Sequence, residues 1–428
     1  MSLYKGRKFL SENRLKFLFL QVIMMAIEEI RAQFPTLART VYGKPLVYLD
    51  NAATSMRPRI VLERQNELAS LHNANIHRAV HALAGEATEA YEAARDAVAR
   101  HLNAASRREI IFTSGTTASI NLVAFSFGET FVKPGDEILV SEAEHHSNIV
   151  PWQMMCQRKG AVLKVLPVDE EGHLRTDLLP NLLSEKTKLV AISQISNVLG
   201  IINPVKYIVS VCHSNGSKVL IDGAQGVVHG GVDVQDLDCD FYAFSGHKVY
   251  AATGTGVLYG KETLLEQMVP YMGGGEMIGT VRFTGTTYAP LPAKFEAGTQ
   301  NINAQPTLQT ALDFAAGLQN EAYTKQVRDF VLEALEADSR IKLFGVPRGT
   351  EDKIALFSFA AKGAHHEDIA LILDKMGVAV RSGQMCAEPL MDRFGVTGMV
   401  RASFAPYNTL EEAETFLKAL DKALTLLQ

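Results

Sequence analysis

A chain of 428 residues is too long for one simple core and suits two domains. Hydrophobic residues at 47% and charged residues at 21% exclude a disordered chain, and a net charge of -5 offers no footprint for nucleic acid. Cys156, Cys212, Cys239 and Cys386 lie far apart, without a CxxC pair or zinc spacing, so reduced thiols in a cytoplasmic protein are expected, with no metal.

At the N-terminus, Lys5, Arg7, Lys8, Arg14 and Lys16 precede an apolar run over 17–27 that imitates a signal peptide. No small-x-small cleavage site follows, and the run is too short and interrupted to span a bilayer. Residues 1–23 therefore read as a leader or non-native extension, with Met24 and Met25 as internal starts. From Leu46 onward, short β-branched runs alternate with helical periodicity. Strands are expected at 46–50, 109–113, 137–140, 162–167, 188–194, 218–222 and 241–245, with helices at 86–101, 119–127 and 205–214 between them. Such alternation predicts an α/β fold with a mostly parallel sheet flanked by helices. After Pro306 the texture changes to one long helical stretch over 307–337, a strand at 355–359, a helix near 367–376, two short strands and a closing amphipathic helix from Leu410. The expected division is a segment 24–45 joining the small domain, a large domain 46–305, and a smaller α+β domain 306–428.

Chemistry concentrates at the ends of the apolar strands. Thr113-Ser114-Gly115-Thr116-Thr117 opens a helix, where exposed N–H groups, the helix dipole and two threonine hydroxyls suit a phosphate; alone it reads equally as an ordinary N-cap. In Glu144-His145-His146-Ser147-Asn148 an imidazole is offered to a ring, and no third ligand supports a metal. Asn197 ends a further strand and reads otherwise as a turn residue. Asp222, in Ile221-Asp222-Gly223-Ala224-Gln225, places a carboxylate where open α/β sheets bind ligands. Ser245-Gly246-His247-Lys248 then follows its own apolar strand. An Asp for a pyridinium nitrogen and a downstream Lys for a Schiff base make up the minimal site for pyridoxal 5'-phosphate (PLP). Cys386 sits in a Gly- and Pro-bearing loop close to Arg381, which favours a reactive thiol over an inert one. Arg401, alone among apolar and small residues, needs an anion: a substrate carboxylate or an Asp or Glu.

These motifs together closely resemble those of the group II cysteine desulfurases, the SufS-like enzymes also called selenocysteine lyases, of PLP-dependent aminotransferase class V. The resemblance runs from about Ile27 to the C-terminus. It includes Tyr48-Leu49-Asp50-Asn51-Ala52-Ala53-Thr54, Asn75-Ile76-His77-Arg78, the 113–117 and 144–152 runs, Gly273-Gly-Gly-Glu276, Phe295-Glu-Ala-Gly-Thr299 and Arg401-Ala-Ser-Phe404. It implies a fold-type I PLP homodimer with its active site at the subunit interface. L-cysteine would become L-alanine, with the sulfur carried as a Cys386 persulfide to a SufE- or SufU-like acceptor for iron–sulfur assembly; L-selenocysteine is a second substrate. By position, Lys248 resembles the Schiff-base lysine, Asp222 the pyridinium partner, Gln225 the contact to the ring hydroxyl and His146 the stacking, catalytic imidazole. Thr116, Thr117, Ser245 and His247 are implied around the phosphate, joined by Thr299 from the other subunit. Asn197 would touch cofactor and substrate, with Arg401, His77 and Arg381 on the substrate side. One departure stands out: the family's Arg-x-Gly-His-His-Cys is here Arg381-Ser-Gly-Gln384-Met385-Cys386, which removes two proton donors and positive potential beside the thiol. A different acceptor or slower sulfur transfer is expected from it. The rival readings are another PLP lyase of the same fold, a cysteine-sulfinate desulfinase or a kynureninase-like hydrolase, and a non-catalytic scaffold subunit.

Overall fold

The computed structural model describes residues 27–229, 231–318, 320–349 and 351–427. The leader read into residues 1–23 lies outside them.

The main sheet has seven strands: β1 (Ile110–Thr113), β2 (Glu137–Ser141), β3 (Val162–Leu166), β4 (Thr187–Ser193), β5 (Lys218–Asp222), β6 (Phe241–Ser245) and β7 (Gly256–Gly260). Their spatial order is β1-β7-β6-β5-β4-β2-β3. All neighbours among β2 to β6 run parallel, while β7 is antiparallel to both β1 and β6. Strands covered on both faces need apolar side chains on both, which is why the central ones read as continuous hydrophobic runs. Along β4, Leu189 and Ala191 enter the core on one face, and Val190 and Ile192 enter the core on the other. The edge strand β3 is instead largely accessible.

The covering helices include α1 (Ala82–His101), α2 (Thr116–Phe131), α3 (Val150–Lys159) and α4 (Val205–Ser214). The expected continuous helix over 307–337 is two helices, α5 (Thr307–Ala316) and α6 (Glu321–Ala337), with Gly317 capping the first. The break follows from the apolar stripes. Leu308, Ala311 and Leu312 belong to the main-sheet core, and Tyr323, Val327, Val331 and Leu335 to the other.

That other core lies on a four-stranded antiparallel sheet of β8 (Ile341–Phe344), β9 (Leu356–Ala361), β10 (Arg381–Gly383) and β11 (Met399–Ser403), ordered β8-β9-β11-β10. It is packed by α7 (His366–Lys375) and the closing α8 (Leu410–Leu427). Val47–Tyr48 pairs with Val378–Ala379, and Asp50 bridges to Ser403, so the N-terminal segment is stitched to this sheet. Register does the rest: Arg381 lies directly opposite Arg401.

Candidate active site

A cavity of about 240 Å³ opens where the carboxyl ends of the parallel strands meet β10 and β11. This is the edge at which open α/β sheets bind ligands.

One end of the cavity is a cup of N–H groups and hydroxyls. Gly115 has φ +151°, and a Cβ there would come within 3.2 Å of Ser245 Oγ. A Cβ on Gly256 would sit 2.3 Å from the Gly115 backbone, so two glycines are required for β7 and the start of α2 to touch. Ser245 Oγ accepts from Thr116 N–H at 2.8 Å and shares a hydrogen bond with Thr116 Oγ1 at 2.8 Å. Thr117 Oγ1 meets Ser147 Oγ at 2.7 Å. His247 Nδ1 lies 3.1 Å from Thr54 Oγ1, and burial, with the Lys248 and Arg57 cations nearby, pulls it down to about 4. His247 is therefore neutral around pH 7.

At the floor stand Asp222 and Lys248, carried by adjacent parallel strands β5 and β6 and the turn that follows β6. Burial pushes the Asp222 carboxyl up; the Ala224 N–H, at 2.9 Å, and the Lys248 cation oppose it. Burial also pulls Lys248 down to about 8, against the attraction of Asp222, while the Arg401 cation adds to the fall. An amine so placed exchanges its proton near neutral pH, as a nucleophile or base must.

The imidazole on the cavity wall is that of His145. His146, expected to stack on the cofactor ring, is turned the other way. Its ring Nε2 accepts from Glu388 N–H at 3.1 Å, and the main-chain N–H of His146 donates to the Cys386 carbonyl at 2.7 Å. The reason is the short helical turn His146–Asn148, which begins after His145 and points consecutive side chains apart. His145 is neutral too: burial, then Lys248, His146 and Arg401, bring it down to about 4. Beneath it, the buried Glu144 accepts from Ser141 Oγ, Asn148 Nδ2 and Ser193 N–H and is pushed up to about 7 by burial.

On the opposite wall, Arg401 donates through Nη1 to Asn197 O at 2.8 Å and through Nη2 to Asp50 Oδ1 at 3.0 Å, while its Nε is buried without a partner. The salt-bridge reading of Arg401 is thus realised, and one donor is left over. Arg381 approaches the other Asp50 oxygen at 3.7 Å. Asp50 is a site residue that the sequence marks only as an acid closing a short apolar strand. Gln225 is buried and donates to Ala52 O at 2.8 Å. The side-chain amide of Asn197 donates to Met385 O at 2.9 Å.

Cys386 lines the cavity and is exposed, whereas Cys156, Cys212 and Cys239 are buried. Burial pushes those three thiols up to about 11, 12 and 12. Two expected residues do not reach this cavity. His77 is exposed and bonded to Glu92 at 3.1 Å, and Thr299 is exposed on the loop that Glu296 anchors through Arg95. No cluster of three or more metal-ligating side chains occurs among the described residues, and none of their helices is long and apolar enough to cross a membrane.

The aminotransferase class-V family matches residues 47–416. The chain belongs to that family. Its curated relatives include a probable cysteine desulfurase of Vibrio cholerae, 46% identical over 95% of this chain and 100% of that one. A cysteine desulfurase of Escherichia coli is 45% identical over 94% and 99%. Among solved structures, the cysteine desulfurase CsdA of Escherichia coli in an S-sulfonic acid form has TM-score 0.86 and 42% identity, covering 94% of this chain and 99% of that one. Cysteine desulfurase from Thermococcus onnurineus also has TM-score 0.86, with 36% identity over 92% and 99%. Class-V enzymes of this kind depend on PLP, and the cavity fits it. A cup of N–H groups and hydroxyls for a phosphate, a buried carboxyl for a pyridine nitrogen and a buried lysine with a lowered proton affinity line one cavity.

Proposed function

We propose that this protein is a cysteine desulfurase that converts L-cysteine to L-alanine and carries the sulfur on Cys386. The observation that carries the reading is an exposed thiol sharing one cavity with a buried lysine of lowered proton affinity. Bound PLP supplies an electron sink for the substrate's Cα. Lys248 would hold it covalently, Asp222 would serve its ring nitrogen, Gln225 its ring hydroxyl, and the neutral His145 its ring face. Thr116, Thr117, Ser245 and His247 would hold its phosphate, joined by Thr299 of a second subunit.

The substrate carboxylate is oriented by Arg401, whose plane is fixed by Asp50 and the Asn197 carbonyl, with Asn197 and Arg381 around it. Lys248 Nζ, once free, takes the Cα proton. The Cys386 thiolate attacks the substrate sulfur; the Cα-side carbon fragment leaves with the electron pair, is protonated and departs as alanine. The persulfide passes to a SufE- or SufU-like acceptor protein in the cytoplasm for iron–sulfur assembly. L-selenocysteine is a second substrate. The region 46–305 supplies the cofactor residues with Asp50 and Asn197 of the carboxylate clamp, and 306–428 supplies Cys386, Arg381 and Arg401.

The test is alanine and sulfide release from L-cysteine, with a reductant, by the wild type and Cys386→Ala. Loss of both products in the variant, with the cofactor absorption retained, supports the reading. Equal turnover removes Cys386 as the carrier and favours a sulfinate-directed lyase of the same fold.

A further inference from the structure

The segment around Cys386 is held in a conformation that its residues do not favour. Met385 and Cys386 both lie in the left-handed region, at φ +52° and +56°, though each carries a Cβ. Besides the turn's own Ala387 N–H to Gln384 O bond at 3.0 Å, three hydrogen bonds tie them to more distant parts of the chain. The Asn197 amide donates to Met385 O at 2.9 Å, His146 N–H donates to Cys386 O at 2.7 Å, and Glu388 N–H donates to His146 Nε2 at 3.1 Å. Two of the three involve one residue, which grips the chain on both sides of Ala387. The third anchor is apolar: Met385 is only 7% exposed and joins the main core. The backbone N–H of Glu388 is an obligatory donor, so Nε2 of His146 must carry the lone pair and Nδ1 the hydrogen.

We propose that His146 is the positioning residue of the nucleophile loop: its main chain and imidazole fix residues 386–388 so that the Cys386 thiol faces the cavity. It acts through the loop and does not touch the reacting atoms. The inference rests on Cys386 carrying the sulfur, but its first readout does not.

That readout is hydrogen–deuterium exchange of the 386–388 amides in the PLP-loaded enzyme, compared among wild type, His146→Ala and His146→Gln. In His146→Ala the Glu388 amide loses its acceptor and exchange there rises about fivefold or more, the loss of one hydrogen bond. The kcat for sulfur release from L-cysteine falls, while the KM for L-cysteine and the cofactor absorption band stay unchanged. The Gln side chain again offers an acceptor and recovers part of both losses, and its melting temperature guards against unfolding. Unchanged exchange in both variants overturns the proposal. So does faster exchange with unaltered kcat, or a shifted cofactor band, which would return His146 to the ring. Failure of Cys386 as sulfur carrier is read separately, from Cys386→Ala.

Discussion

Lys248 and Glu144 turn burial into pH dependence. The Lys248 amine sits at about 8 in the fold against an ordinary 10.5. Between those values the unfolded chain binds the extra proton, so stability of the cofactor-stripped protein rises with pH across the window. Covalent PLP uptake, which needs the free amine, should be half-maximal near pH 8; a stopped-flow absorbance series checks this, with Lys248→Ala as the blank. Glu144 has the opposite sign. It moves from 4.5 to about 7, so its contribution is fully present below 4.5 and is lost as pH rises through 7. Glu144→Gln should flatten that part of the urea-midpoint against pH curve. At this scale the sequence was uneven as a guide. Lys248, Asp222 and Cys386 stood out because strand ends and loops gave them a setting. His145 and His146 are the same residue twice, and only the turn at 146–148 decides which one faces the cavity. Asp50 gained meaning only when two distant arginines converged on it.

Among the elements, β5 and β6 were legible to the residue, because a buried parallel strand is written as an uninterrupted apolar run. β7 was not: Gly256-Val-Leu-Tyr-Gly260 is a short apolar run between glycines, and nothing local says that it turns back antiparallel. Its first residue is a sensitive one. Gly256→Ala should push β7 from the start of α2, costing about 1–3 kcal/mol by overpacking and weakening PLP affinity, measurable by urea unfolding and a PLP titration. A second element-level test concerns α1. Arg95, 1% exposed, pairs with Glu296 at 2.7 Å and lies over the ring of Phe112. Glu296→Ala removes the more buried of its two carboxylate partners, Glu92 remaining at 3.1 Å, and leaves the Phe112 N–H without its acceptor; it should cost about 1–3 kcal/mol, read from the same unfolding curves. It should also loosen the loop that presents Thr299.

For the whole molecule, the homodimer that the resemblance implies is a proposal, and its test starts from accessible apolar side chains. Val80 and Phe283 are fully exposed, the latter at the tip of the hairpin Ile278–Arg282 and Gly285–Tyr288. Sedimentation of the wild type should give twice the chain mass, and Phe283→Asp should shift it toward the monomer. The placing of β7 also bears on how the chain is made. Among the described residues, β1 lies at the sheet edge with β7 as its sole neighbour. A ribosome that has released β1 through β6 has still not released the strand that β1 pairs with, and the cup that follows β1 lacks the close contact of Gly256 with Gly115. The edge is closed only when residues 256–260 emerge, so a nascent chain stalled before that point should bind no PLP, whatever else it has folded.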